Sequence, residues 1–363
     1  MQKRHFNLSS AIKGNPWLMI LIAYMITSIL WSDIPYISFK RLIKDMAAVV
    51  MAFMVATESE PRQAIQCILR RIIYIHIPFS LLLIKYYPHL GVEFARWSGG
   101  RMWIGVAQQK NSFGQLCLIA FFYLLWALYK KYQESDSPAI KYKTYTDIFL
   151  LLLTAWLLKG PGNSYSATSI ISLAAGIICY CGLLLMKKLN IRLGVMAWMM
   201  LIAFIIIYGT AAPFMGGLSF ESLFSEIGRD VTLTGRTEVW KNLIVTAMQH
   251  PLLGHGFGGF WTTEAREQYN ISGSHNGYLS VLLHLGFVGL ILVSLFILDS
   301  CRKAFRNLTN DYYWGSLWIC YLFMFMINNI TETSLGSFST ILMAIILFIT
   351  VSYNSYNLDT IKP

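Results

Sequence analysis

The first candidate for a functional residue is Arg236, because its residue type and its neighbours suit the binding of a charged group. It lies in the string LTGRTEVW, at the start of a segment with helical periodicity. A guanidinium group beside the free backbone N–H groups of a helix N-terminus suits a phosphate or pyrophosphate. The alternative is an arginine whose side chain reaches out to lipid headgroups at a membrane interface.

His275 and Asn276 are the second pair of candidates, in the string SHNGYL that precedes an apolar stretch. Imidazole exchanges a proton near neutral pH, so His275 could act as an acid or a base. The alternative role for both residues is to cap the helix that follows. His284 lies inside the apolar stretch and is interpreted as a packed core histidine.

Arg101 and Lys110 form a third candidate group, since they flank Trp103 in a glycine-rich string. Together they could bind an anionic group or anchor the chain at a membrane interface. The sequence contains no P-loop, G-x-S-x-G, H-E-x-x-H or D-x-D string, and its six cysteines form no C-x-x-C pair. We therefore predict no cofactor and no metal. Any reaction must use arginine, histidine and amide groups on a substrate that already carries a good leaving group.

The composition indicates which elements position these residues. The chain has 363 residues, of which 56% are hydrophobic and 13% are charged, whereas soluble domains carry about 25% charged residues. The mean hydropathy is +0.52. These values exclude a soluble enzyme, a disordered chain and a disulfide-stapled secreted module.

Ten apolar stretches are long enough, or nearly long enough, to cross a bilayer about 30 Å thick. They lack the alternation of barrel strands, so we expect helices. The fold class predicted is an all-α polytopic membrane protein, with residues 1–363 forming a single integral membrane domain. The stretches are 16–31, 42–57, 66–86, 112–130, 147–159, 164–186, 192–212, 278–299, 312–330 and 334–353.

The basic residues predict the orientation of these helices. With the N-terminus in the cytoplasm, every inner loop is short and basic, as the positive-inside rule requires. Both termini are then cytoplasmic. The first stretch follows Lys3, Arg4 and Lys13 without a small-residue cleavage site, so we expect an uncleaved signal anchor. The net charge of +11 is thus mainly an orientation signal, and nucleic acid is not an expected partner.

One predicted outer loop, residues 213–277, is much longer than the others and lies between the seventh and eighth stretches. A loop of that length usually has a function. Its segment 237–249 predicts an amphipathic helix on the membrane surface, followed by the glycine-rich run 252–261. One apolar face of this helix contains Val239, Trp240, Leu243, Ile244 and Ala247.

The other outer loops carry polar strings beside apolar stretches, whereas the inner loops carry ordinary charge runs. This asymmetry predicts a site on the outer face. The outer strings are WSDIPYISFKR (31–41), WSGGRMWIGVAQQKNSFG (97–114), KGPGNSYSATS (159–169) and NNITETS (328–334).

Taken in order, these strings resemble the O-antigen ligase and Wzy/ExoQ-type polysaccharide polymerase superfamily of bacterial inner membranes. The resemblance covers roughly residues 30–335. It is carried by W-S-x-x-P-x-x-S-x-x-R (Trp31 to Arg41), G-R-x-W-x-G and K-N-x-x-G (Gly100 to Gly114), S-x-S-x-T-S (Ser164 to Ser169), T-G-R-x-x-x-W (Thr234 to Trp240), P-L-x-G-x-G-x-G, and S-H-N-x-Y-L-x-x-L-x-x-x-G-x-x-G (Ser274 to Gly289).

The resemblance implies a GT-C-like glycosyltransferase that uses an undecaprenyl-diphosphate-linked glycan outside the inner membrane. It implies that Arg236 contacts the pyrophosphate and that His275 activates the acceptor hydroxyl. Arginine can stabilise a diphosphate leaving group without a metal, and a neutral histidine suits removal of a proton from a sugar hydroxyl. Direct displacement would invert the anomeric centre. The expected substrate-binding residues are Arg41, Arg101, Trp103, Lys110, Lys159, Asn276 and Glu332.

Two positions depart from the family pattern. Ala167 stands where many members have arginine or lysine, so one phosphate contact of the family pattern is missing there unless Lys159 or Arg101 substitutes for it. Gln109 stands where many members have a histidine before Lys-Asn.

The function predicted is a periplasmic polymerase that joins lipid-linked repeat units. Its partners are the lipid-linked donor, a lipid-linked glycan acceptor, the bilayer and a chain-length regulator. The alternative is an O-antigen ligase that transfers the glycan to lipid A-core. A transporter of lipid-linked sugars is disfavoured, because the centres of the apolar stretches lack charged residues.

Overall fold

The structure is a computed structural model that describes residues 12–94, 99–134, 141–162, 165–191, 194–215, 234–269 and 273–357. Its helices are α1 (Pro16–Thr27), α2 (Pro35–Ala56), α3 (Pro61–Tyr86), α4 (Lys110–Glu134), α5 (Lys141–Lys159), α6 (Ala167–Lys188), α7 (Val195–Ala211), α8 (Thr234–Ala247), α9 (Thr263–Tyr269), α10 (Gly277–Asn310), α11 (Tyr312–Thr331) and α12 (Ile341–Asn357). A 3₁₀ turn (Ser28–Trp31) and a one-turn helix (Pro88–Gly91) join some of them.

The sheet in the described residues is one antiparallel pair, β1 (Val92–Phe94) and β2 (Arg101–Trp103). Every one of the ten apolar stretches contains a helix, which confirms the all-α prediction for those stretches. The chain is a mostly helical membrane protein.

Four described helices are long and apolar enough to cross a membrane by length and composition: Pro61–Tyr86, Lys110–Gln133, Ala167–Lys188 and Gly277–Asn310. Shorter apolar helices lie at Pro16–Trp31, Val195–Ala211 and Ile341–Tyr353. A helix rises 1.5 Å per residue, so about 20 residues are needed for the hydrocarbon core. The count of ten spans stays a prediction.

Several helices begin earlier or end later than the apolar stretches. Helix α2 begins at Pro35, seven residues before the predicted stretch 42–57, and so includes Arg41. Proline at the first helical position has its φ angle preset and lacks an N–H that would need a partner. Helix α10 continues to Asn310, beyond the predicted end at residue 299. Hydropathy marks the apolar part of a helix, while capping residues and prolines mark its ends.

The helices group into two compact units. The first contains residues of 1–57, 193–306 and 325–363, and the second contains residues of 58–192 and 307–324. In the first unit, α2 packs against α12. The buried carboxylate of Asp45 accepts hydrogen bonds from Ser337 Oγ (2.7 Å) and Phe338 N (2.8 Å), which fixes the turn before α12.

In the second unit, α4 packs against α5 and α6. Small residues allow close approach where α4 meets the start of α6. A Cβ atom on Gly114 would lie 2.6 Å from Ser166 Cβ and 2.7 Å from Ser169 Oγ. A larger residue at position 114 would therefore force the two helices apart.

Helix α10 is broken at Gly286, where φ is 64° and ψ is −166°. Residues 251–255, which precede α10 in the chain, complete the backbone hydrogen bonding at the break. Phe287 N donates to Pro251 O (2.8 Å), Val288 N to Leu252 O (3.2 Å), and His255 N to Leu283 O (2.9 Å). A Cβ atom on Gly286 would overlap the Leu252 carbonyl. Irregular backbone in an apolar helix is tolerated where protein groups satisfy it in this way.

Candidate functional site

The SHN segment, residues 274–276, forms a tight turn at the start of α10. Asn276 Oδ1 accepts a hydrogen bond from Leu279 N (2.8 Å), which is an N-cap of α10. Ser274 Oγ donates to Asn276 O at 2.8 Å. Between them, half-buried His275 has a positive φ of 49°. Such a backbone conformation is uncommon outside glycine and is found where neighbouring contacts impose it, often at functional sites.

The amide of Asn276 connects three helices of the first unit. Its Nδ2 donates to Gly209 O in α7 (3.1 Å) and to Ile330 O in α11 (2.9 Å), while its Oδ1 caps α10. The side chain is fully buried. The amide group is thus used by backbone partners, which suits a residue that positions its neighbour His275.

Helix α8 carries Arg236 and is bonded to the SHN segment. Trp240 is buried, and its Nε1 donates a hydrogen bond of 2.7 Å to Ser274 O. Arg236 lies in the first turn of α8, one turn before Trp240, or about 6 Å along the helix axis. The side chain of Arg236 lies outside the described part of the chain. The hydrogen bond from Trp240 to Ser274 links the helix that carries Arg236 to the turn that carries His275.

The predicted apolar face of the segment 237–249 is confirmed. Trp240, Leu243 and Ala247 are buried in one cluster with leucines of α10 and with aromatic residues of the glycine-rich run 252–261, which we call the glycine-rich loop. Val239 and Ile244 pack against this cluster. This cluster holds α8, the glycine-rich loop and the start of α10 together.

Glu332 lies in the turn that follows α11, beside the SHN segment. Its side chain is 7% exposed. The turn is fixed by Asn329, whose Oδ1 accepts from Ser334 N (2.8 Å) and Leu335 N (2.7 Å). A Cβ atom on Gly277 would overlap Asn329 Oδ1, so this turn and the start of α10 approach closely.

Arg41 contacts the glycine-rich loop. Its Nη1 donates to Gly258 O, and its Nη2 donates to Trp261 O (3.2 Å). Burial lowers the pKa of Arg41 from its usual value, and the positive charge of Arg266 lowers it further. An arginine side chain keeps its charge in proteins, so Arg41 is a fixed cation at this loop.

One polar pair in the first unit was not singled out from the sequence. His255 Nδ1 lies 2.8 Å from Asp33 Oδ2, and His255 Nε2 is buried without a hydrogen-bond partner among the described residues. Asp33 and His255 lie in two of the noted strings, but 222 positions separate them. Nothing in the spacing of the sequence pairs them.

The remaining predicted residues lie at one end of the second unit. Arg101 and Trp103 are on β2, Lys110 begins α4, and Lys159 ends α5. Trp103 and Lys110 line a small cleft with a volume of about 10 Å³, room for about one water molecule, which we call the Trp103 cleft, while Arg101 and Lys159 are exposed.

The structure thus brings the predicted residues together in two groups, one in each unit. The SHN segment, the Arg236 backbone, Glu332 and Arg41 belong to the first unit, and the Trp103 cleft belongs to the second. The described residues contain no group of three or more His, Cys, Asp or Glu side chains that could hold a metal ion.

Residues 148–294 match the family model described as O-antigen ligase. The matched region contains Arg236, Trp240, the SHN segment and the glycine-rich loop. Over this region the chain is therefore similar to the O-antigen ligases.

The chain is also similar to the exopolysaccharide production protein ExoQ of Rhizobium meliloti (strain 1021). The two sequences are 24% identical over 309 residues, which cover 81% of this chain and 66% of that relative. The match therefore spans just under two thirds of the relative's length. Both matches confirm the resemblance to the O-antigen ligase and Wzy-type family.

Proposed function

We propose that this protein is a polysaccharide polymerase that transfers a glycan from undecaprenyl diphosphate to a lipid-linked repeat unit. The observation that carries the proposal is the hydrogen bond from Trp240 Nε1 to Ser274 O. It fixes the helix of a candidate diphosphate-binding arginine beside a histidine whose backbone is held in an unusual conformation. Transfer of a glycan from a diphosphate needs these two groups, an arginine for the leaving group and a histidine for the acceptor hydroxyl.

In the proposed reaction, the oxygen of the acceptor hydroxyl attacks the anomeric carbon of the donor glycan. The bond between that carbon and the diphosphate oxygen breaks, and its electron pair leaves with undecaprenyl diphosphate. The hydroxyl proton goes to His275, while Arg236 stabilises the charge that develops on the diphosphate. Attack opposite the leaving group inverts the anomeric configuration, and no metal takes part.

The other residues of the first unit position these two. Asn276 holds the turn that carries His275, and Trp240 holds the helix that carries Arg236. Glu332 is proposed to lie at the acceptor, since it belongs to the turn adjoining the SHN segment. Arg41 holds the glycine-rich loop and adds a fixed positive charge there.

We further propose the surroundings in which this reaction takes place. The ten apolar stretches cross the bacterial inner membrane as one membrane domain, both termini are cytoplasmic, and the site faces the periplasm within the loop 213–277. A chain-length regulator is the expected protein partner. Arg101, Trp103, Lys110 and Lys159 are proposed to contact the glycan.

The central test is alanine substitution of the two reacting residues. We expect His275→Ala and Arg236→Ala each to abolish long-chain glycan while the protein stays in the membrane at normal amount. His89→Ala, which changes an exposed histidine of the second unit, is the matched control. Normal chain lengths in both site variants would contradict the assignment.

A ligase is the second candidate, favoured by the family model that matches residues 148–294. It would transfer the same glycan to lipid A-core. Purified protein supplied with lipid-linked repeat units alone separates the two reactions. A ladder of products identifies the polymerase, whereas product that forms only after lipid A-core is added identifies the ligase.

A further inference from the structure

The glycine-rich loop is bonded to residues 28–41 of the same unit, which we call the 28–41 corner. This corner contains the 3₁₀ turn and the start of α2. Hydrogen bonds join its side chains to the backbone of the loop. They run from Phe257 N to Ser28 Oγ (3.0 Å), from Trp31 Nε1 to Leu253 O (3.2 Å), and from Arg41 to Gly258 O and Trp261 O. Several separate bonds therefore hold the loop against the corner.

Glycine residues allow the loop to lie close to the 28–41 corner. A Cβ atom on Gly256 would lie 2.7 Å from both Ser28 O and Ser32 Cα, and one on Gly259 would overlap Ser32 Oγ. Gly256 also has a φ angle of 80°, a conformation that glycine adopts without steric cost. The position of the loop is thus set by direct contact with the corner.

Asp33 and His255 add a contact in which the acceptor is a carboxylate. His255 Nδ1 lies 2.8 Å from Asp33 Oδ2. An ionised carboxylate can only accept hydrogen bonds, so Nδ1 carries the proton and donates it to Asp33. Such a bond is about twice as strong as one between neutral groups. The His255 side chain is buried, whereas the Asp33 side chain is 50% exposed.

The loop in turn packs on the two helices that carry the proposed reacting groups or follow them. Phe260 and Trp261 are buried in the cluster that contains Trp240 of α8. The ring of His255 lies 5.2 Å from that of Phe260, centroid to centroid, and His255 N donates to Leu283 O in α10 (2.9 Å). A movement of the loop away from the corner would therefore move α8 relative to the SHN segment.

We propose that Asp33 and His255 are a positioning pair for the transfer reaction. Their hydrogen bond keeps the glycine-rich loop in the 28–41 corner, and the loop keeps α8, which carries Arg236, beside the start of α10. This inference rests on the proposed function and adds two residues that act through the loop. Misplacement of a reacting group slows the chemical step more than it weakens substrate binding.

The first test is hydrogen exchange of the purified protein in phosphatidylcholine nanodiscs, measured by mass spectrometry. Asp33→Ala removes the acceptor of the pair at a half-exposed side chain, so the core stays filled. We expect exchange in the glycine-rich loop to become about tenfold faster, because a hydrogen bond to a charged group is lost. Glu267→Ala, which removes an exposed carboxylate of α9, is the matched control and should exchange as the wild-type protein does. Unchanged exchange in Asp33→Ala would overturn the proposal.

The second test separates positioning from proton transfer. Asparagine Nδ2 and histidine Nδ1 are both one bond beyond Cγ, so His255→Asn keeps a donor for Asp33 but lacks Nε2. We expect His255→Asn to extend chains at nearly the wild-type rate. Asp33→Ala and His255→Ala should lower kcat about tenfold and change KM by less than about twofold.

Two kinetic results would overturn the proposal. One is an equal loss of kcat in His255→Asn and His255→Ala, which would show that the imidazole itself handles a proton. The other is a raised KM with unchanged kcat in Asp33→Ala, which would place Asp33 at the substrate.

The positioning inference and the transferase proposal fail in different ways, because hydrogen exchange needs no glycan. Faster exchange in Asp33→Ala, together with normal chain extension by His275→Ala, would contradict the transferase proposal while the attachment of the loop stands. Unchanged exchange in Asp33→Ala, together with lost extension in His275→Ala, would contradict the positioning pair alone.

Discussion

The polar groups of the SHN segment in the first unit and of the Trp103 cleft in the second differ in their exposure to solvent. Asn276 is fully buried and hydrogen bonded to three backbone groups, whereas Lys110 and Trp103 line a small cleft with exposed cations beside it. Buried polar groups must be satisfied by the fold, so they set geometry. Groups that are partly exposed to solvent do not have to meet that requirement. The difference supports the proposed positioning role of the SHN segment.

The largest effect should come from Asn276→Ala, which would leave two carbonyl groups and one N–H without their partner. Each buried group left unsatisfied costs about 1–3 kcal/mol, so a loss of about 3–9 kcal/mol is expected for the three. The apparent Tm of the purified protein, followed by fluorescence, should fall by several degrees. Arg101→Gln, at an exposed side chain beside the Trp103 cleft, should leave Tm unchanged, and equal Tm values for the two variants would break the contrast.

An intermediate effect is expected from Gly277→Ala. The added methyl group would overlap Asn329 Oδ1, an atom already fixed by two backbone N–H groups. Overpacking of this kind costs about 1–3 kcal/mol, and it would move His275. Chain extension should fall about tenfold in a polymerisation assay. Gly182→Ala is the control, because its added methyl group meets no described atom within 4 Å. Loss of activity in both variants would point to a general helix effect instead.

The smallest effect is expected from Trp240→Phe. The change keeps an aromatic ring in the core but removes the donor to Ser274 O, a hydrogen bond worth about 1 kcal/mol. We expect a several-fold lower kcat with little change in KM. A raised KM for Trp240→Phe would indicate that Trp240 contributes to substrate binding rather than to positioning.

Hydropathy alone predicted the helices, because each apolar stretch must satisfy its own backbone groups in a bilayer. The ends of the helices could not be predicted in the same way. Helix α2 includes the polar string before residue 42 since Pro35 starts it, and this places Arg41 on a helix facing the glycine-rich loop. The amphipathic face of α8 was predictable because its period matches a helix turn.

The pairing of residues far apart in sequence could not be predicted. Asn276 was expected to bind substrate or to cap a helix; the capping role is seen, but its bonds to Gly209 and Ile330 depend on how α7 and α11 pack. The contact between Asp33 and His255 depends equally on packing. Two of the noted strings meet in the Trp103 cleft because Gly114 and Ser166 are small and lie close together. The spacing of these residues in the sequence does not show that they are close.

The break at Gly286 has a consequence for how the chain enters the membrane. The carbonyl groups of Pro251 and Leu252 that complete α10 come earlier in the chain, so they leave the ribosome before Gly286 does. Unsatisfied backbone groups in hydrocarbon cost several kcal/mol each. Residues 251–255 and α10 should therefore insert as one unit, with the earlier segment serving as a template for the later helix. Deleting residues 251–255 would then impair membrane insertion itself.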